Sequence, residues 1–96
     1  MLAGHVASKP ATRVSPAGIP ITRFTLEHRS EQQEAGQQRE ARCRIEVVAA
    51  GKTMQGPVAQ LVEADAVRVR GFLSNAGYRS GETRLALHAH DIERLD

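Results

Sequence analysis

Eleven of the thirteen basic side chains in this sequence are arginines, and four of them, Arg42, Arg44, Arg68 and Arg70, stand at alternating positions. Period-two alternation puts those guanidiniums on one face of a strand and the apolar residues between them on the other. A guanidinium is a planar fork of donors that keeps its charge, so a row of them suits phosphates and flat rings. The same row also reads as a solvated strand face that resists edge-to-edge aggregation. The arginine bias itself is equally explained by the codons of a GC-rich genome. Arg13, Arg23, Arg29, Arg79 and Arg84 add to the supply that would line a cationic groove. Aromatic platforms are scarce, with only Phe24, Phe72 and Tyr78. Phe24 shares its phase with Leu26 and reads as core. Phe72 shares the phase of Arg68 and Arg70, and can stack on a ligand or be buried between subunits. Tyr78, between Gly77 and Arg79 in a loop-like stretch, could swing onto a base.

Metal and nucleophile chemistry have less support. His88 and His90 would share a strand face, but no carboxylate or thiol at ligand spacing completes a site. His28 follows the inward phase of Phe24 and Leu26, which predicts a hydrogen-bonded core histidine. Cys43 lies on the inward phase of its strand, where a thiol is inert packing, and no base stands near it in sequence. As the single cysteine it excludes an internal disulfide, so an oxidising compartment has no support. No catalytic residue, metal or cofactor is expected from these spacings.

Those side chains need elements to hold them. Ninety-six residues fit one domain, spanning 1–96, with a net charge of +2. A chain of this size buries roughly 60–68% of its unfolded surface, so association with a second copy would help its stability. Strands are expected at Leu2–Val6, Ile19–Arg29, Ala41–Val48, Ala66–Ser74 and Thr83–Ile92. The inward residues are Phe24, Leu26 and His28, then Cys43, Ile45 and Val47, then Val67, Val69 and Leu73, then Leu85, Leu87 and Ala89. Ala86 and His88 fall outward. Ile19 and Ile21 sit in the opposite phase to Phe24, which predicts a bulge or strong coil near Thr22. Residues 30–41 have helix formers without an apolar stripe and read as a long polar loop. Its acidic residues argue against uniform contact with an anionic ligand and leave room for a protein partner. In PVAQLVEAD (57–65), Pro57 suits a first helical turn while Val58, Leu61 and Val62 share a face. The expected fold is all-β: a five-stranded Greek-key OB-fold barrel with a short helical turn between strands three and four. Gly71 falls where a barrel strand bends sharply. The start, MLAGHVASKP, lacks the apolar core of a signal peptide and no stretch is long enough to span a membrane, so a cytoplasmic, soluble domain is expected.

SPAGIP followed by TRFTLEHRS, with EQQEAGQQREARC (31–43), VRGFL (69–73) and LALHAHDIE (85–93), resembles the PriB family, OB-fold relatives of bacterial single-stranded DNA-binding protein. The likeness covers nearly the whole chain, and the LEHRS ending is its most specific part. The Pro and Gly residues of SPAGIP then read as a hairpin corner, with Gly18 at positive φ. The resemblance implies a homodimer without enzymatic activity. It would bind single-stranded DNA and the PriA helicase during restart of stalled replication forks, with handover to DnaT and reloading of the replicative helicase.

Contact positions carry over one at a time. The basic residue before VSP is Arg13, and Arg29 of LEHRS is unchanged. Arg79 and Arg84 flank the Ser80–Gly81 turn between strands four and five, where relatives carry lysines, and Phe72 follows VRG. The residue before Cys43, a Trp in relatives, is Arg42 here, and an aromatic of the preceding loop is Gln37. With Arg44 and Tyr78 from the strand and loop readings, the expected DNA-binding set is Arg13, Arg29, Arg42, Arg44, Phe72, Tyr78, Arg79 and Arg84. The alternative, from another class, is an OB-fold protein-interaction module whose arginines are mostly surface solvation.

Overall fold

The strand-forming runs pair into one continuous sheet. A computed structural model describes residues 1–79 and 82–95, with side chains described outside 76–83. Its strands are β1 (Leu2–Val6), β2 (Ala11–Val14), β3 (Pro20–Glu34), β4 (Gln37–Ala50), β5 (Ala66–Arg79) and β6 (Glu82–Leu95). Their order is β1-β5-β6-β4-β3-β2, and β1 also pairs with β3, which closes a five-stranded barrel. Every pairing is antiparallel except β4 with β6, which run parallel over Glu46–Val48 and Ala86–His88. This is the expected OB-type barrel. The strand not foreseen, β2, lies end to end with β1 along β3: β1 meets Leu26 and Glu27, while β2 meets 20–23. The break at 7–10 contains Pro10, which has no N–H to donate. Ser8 Oγ fills the ladder there by accepting from Thr25 N at 2.8 Å. The SPAGIP corner is a tight turn, with Gly18 N donating to Ser15 O and Gly18 at φ 80°.

Val6, Phe24, Leu26, Val47, Val67, Val69, Leu87 and Ile92 fill the barrel. Helix α1 (Gln55–Ala59), entered from a 3-10 turn at Lys52–Met54, carries Val58 into this core, with Met54 and Leu61 on either side of it. It begins earlier than the expected 57–65, and Pro57 is its third residue, still among the N–H groups that no helical carbonyl accepts from. Val62, expected to share the buried face, is exposed because the chain has already left the helix for the bend at Asp65, whose carboxylate accepts from Val62 N at 3.0 Å. The β3–β4 ladder runs from Ile21 to Glu34 without a shift, so no bulge occurs at Thr22.

The largest departure is at residues 30–41, which form no loop. They continue β3 and β4 into a two-stranded arm that turns at Ala35–Gly36, with φ 52° and 77° at the two central residues. Positive φ at both is the type I′ geometry that matches the strand twist. A two-stranded ribbon has no buried face, hence no apolar stripe. Cys43, Leu73 and Leu85 hold the inward phase expected of them, yet all three are exposed, because their strands have run past the barrel. Ala86, expected outward, is fully buried between the parallel β4 and the antiparallel β5. His28 is hydrogen-bonded as expected, but part-buried at the edge of the barrel and not in its core: Nδ1 lies 2.6 Å from Ala3 O and so donates, and Nε2 lies 2.9 Å from Ser30 Oγ. The Ser80–Gly81 turn lies outside the described residues.

Candidate nucleic-acid interface

Residues facing each other across a ladder share a face of the sheet, so pairing places the outward arginines relative to one another. On the β3–β4 arm the outward pairs are Glu27 with Arg44 and Arg29 with Arg42. They form one alternating chain of charges. Arg44 Nη2 lies 2.9 Å from Glu27 Oε2, Arg29 Nε lies 3.8 Å from Glu27 and 3.9 Å from Glu40, and Arg42 Nε lies 3.5 Å from Glu40. Four arginines (Arg29, Arg39, Arg42, Arg44) meet four glutamates (Glu27, Glu31, Glu34, Glu40) between residues 27 and 44, so the arm is neutral overall. These arginine side chains are 58–70% exposed, and exposed pairs hold by about 0–1 kcal/mol each. A phosphate can therefore take the guanidiniums from the carboxylates, at a modest cost in affinity.

The sheet itself is less neutral. Where β4 and β6 part beyond Glu46 and Ala86, they open a groove of about 550 Å³ lined by Thr25, Arg44, Ile45, Glu46, Arg84 and Leu85. It brings together two of the expected residues, Arg44 and Arg84. Arg13 and Arg84 make no ion pair with any described residue. Arg13 faces Ile21 across β2–β3, eight residues along β3 from Arg29, or roughly 26 Å at 3.3 Å per residue. The set is thus spread along the sheet and not gathered into a pocket.

Phe72 lies outward as expected and is 50% exposed. Its cross-strand partner is His88, which in turn pairs with Val48 of β4. The Phe72 and His88 rings are stacked, with centroids 5.0 Å apart and planes within 7°, and His90 lies 5.3 Å from Phe72 at a tilt of 57°. Sequence reasoning weighed these histidines only as metal ligands. Their alternation with Phe72 needed the β5–β6 register, which no spacing within the chain reveals. Tyr78 and Arg79 are strand residues, the last two of β5, and not part of a loop; their side chains lie outside the described residues.

The comparisons agree with this fold. Residues 1–91 match the family described as another single-strand binding protein family. The chain is similar to the replication restart protein PriB of Photorhabdus laumondii, at 45% identity over 100% of this chain and 91% of the relative. Among solved structures it resembles the PriB protein of Ralstonia solanacearum, with 25% identity, a TM-score of 0.78, and coverage of 97% of this chain and 92% of the other. The single-stranded DNA-binding protein of Plasmodium falciparum, solved with its DNA, shares the fold at 15% identity and a TM-score of 0.82, covering 99% and 91%.

Proposed function

This chain belongs to the PriB family of replication restart proteins, and from that premise we propose that it binds single-stranded DNA on the outward face of its barrel. The observation that carries the proposal is the presence on that face of a half-exposed Phe72 and of Arg84, which makes no ion pair with any described residue. A stackable ring and cationic side chains are the two parts that binding without sequence preference requires. The contact set is Arg13, Arg29, Arg42, Arg44, Phe72, Tyr78, Arg79 and Arg84. In this role the protein stabilises the PriA helicase on DNA at stalled forks, hands over to DnaT and helps reload the replicative helicase in the cytoplasm. Among the described residues no helix is long and apolar enough to cross a membrane. Fluorescence polarisation with labelled oligothymidylate tests the proposal, with a duplex of equal length as control. Saturable binding that prefers the single strand is expected; binding of PriA without binding of either DNA would favour the second reading.

That second reading, a protein-interaction module with little DNA binding of its own, draws on the neutral β3–β4 arm. The two separate on the carboxylates. If phosphates must displace Glu27 and Glu40, replacing both with Gln removes competing anions and should tighten oligothymidylate binding by about 0.5–1 kcal/mol. Unchanged or weaker binding in that variant would place DNA away from the arm.

We further propose a homodimer. Among the described residues β2 has no strand on its outer side, all four of its residues are exposed, and Val14 near the corner is 68% exposed. Pairing two such edges across a two-fold axis would satisfy both rows of backbone groups at once. Sedimentation equilibrium should give twice the 10.4 kDa chain mass. A single species of chain mass at micromolar concentration would exclude it.

A further inference from the structure

We propose that Phe72, His88 and His90 form a one-base subsite whose two imidazoles couple single-strand binding to pH, tightening it as they take up protons. The proposal rests on the single-strand-binding reading above. His88 covers one face of the Phe72 ring at 5.0 Å, while half of Phe72 remains exposed. The platform therefore has room for one base on its open side, in the offset or tilted arrangements that aromatic rings prefer. The pairing of β5 with β6 shifts between Arg70 and Gly71: Arg70 faces Asp91 and Gly71 faces Ala89, which leaves His90 unpaired. Such an extra residue re-aims its own side chain, and here the ring lies 5.3 Å from Phe72.

A neutral imidazole donates from one nitrogen only, whereas the protonated ring donates from both and carries a charge. Protonation of His88 would place that charge behind the base on Phe72, and protonation of His90 would place it beside the exposed edge where a phosphate passes. The charged groups around them leave that role open. On β5, Arg68 is held by Glu93 of β6 at 3.4 Å, and Arg70 stands across from Asp91. On β4, Glu46 is 3.7 Å from Arg23 of β3, and Arg84 of β6 has no ion pair with a described residue. Among the described residues, two of the three nearby carboxylates, Glu46 and Glu93, already face arginines, and the third, Asp91, lies opposite one. The phosphate of a bound strand is then the anion that a newly charged imidazole meets.

The test is oligothymidylate affinity at fixed ionic strength from about pH 8 to about pH 6, the interval in which imidazoles change charge. The parent should bind about three- to tenfold more tightly at the lower pH, the scale of one or two exposed charge contacts. The double variant His88→Gln, His90→Gln should lose that gain: whatever its affinity at the higher pH, it should change by less than about twofold between the two pH values. His5 and His28 remain in it, so protonation elsewhere is controlled. Phe72→Leu should weaken binding at both pH values. Should the double variant not fold by far-UV circular dichroism, His90→Gln alone suffices: its ring is exposed, and it should lose part of the gain. A parent that binds equally at both pH values, or a folded variant that keeps the whole gain, would overturn the proposal and leave the single-strand reading intact. A parent that binds no oligothymidylate at any pH would overturn that reading itself.

Discussion

Gly71→Ala is expected to destabilise the chain by about 2–3 kcal/mol, the upper part of the range for forcing atoms into a filled space. A Cβ at Gly71 would stand 1.8 Å from the carbonyl oxygen of His88 and 2.7 Å from its carbon. Both are backbone atoms of the neighbouring strand, so no side chain can swing away. Two effects oppose the clash. The methyl group gains at most about 0.8 kcal/mol of burial, and the loss of glycine's freedom in the unfolded chain gives about 0.4–1 kcal/mol. Neither matches the cost of parting β5 from β6 where both curl around the core. Urea denaturation measures the result. Gly56→Ala is the control: it lies in α1 with no atom within 4 Å of the added Cβ, and should be neutral or stabilising by up to about 1 kcal/mol. A Gly71→Ala protein as stable as its parent would mean that the two strands are not pressed together at that level. The stacking of Phe72 on His88, one residue along, would then lose its support.

Replacing Arg13 and Arg84 together with Ala should weaken oligothymidylate binding by about 1–3 kcal/mol, roughly a five- to 150-fold rise in Kd. Charge-assisted contacts contribute about 1.5–3 kcal/mol each, less what solvent screens from exposed groups. These two are chosen because no carboxylate among the described residues competes for them, unlike Arg29, Arg42 and Arg44. The melting temperature should barely move, since both side chains are exposed. Loss of PriA binding with DNA binding intact would make this surface a protein-docking site. Loss of both with the fold preserved would mean that DNA and PriA overlap here.

The barrel was legible in the sequence because its buried positions alternate. Phe24 and Leu26, Val67 and Val69, and Leu87 each fall inward as their spacing demands. The arms were not legible, for the opposite reason. A ribbon wet on both faces selects no apolar periodicity, so residues 30–41 look like a loop until the positive φ at Ala35 and Gly36 is seen. The same physics misplaced Cys43, Leu73 and Leu85: phase follows from spacing, whereas burial depends on where the barrel ends. The arginines of the site could be named individually, but their pairing could not. Glu27 lies beside Arg44 only through the β3–β4 register, and Arg84 joins Arg44 only where two non-consecutive strands diverge. His88 and His90 were hidden for the same reason.

The most direct test of single-strand binding by phosphate contact is the salt dependence of oligothymidylate affinity. Each phosphate neutralised on a single strand contributes a slope of about −0.7 in log K against log[salt]. With only three aromatics against eleven arginines, phosphate contacts should dominate. About four of them give an expected slope near −3. An affinity that scarcely changes with salt would contradict this, because it would leave stacking on Phe72, or no DNA site at all, to account for binding.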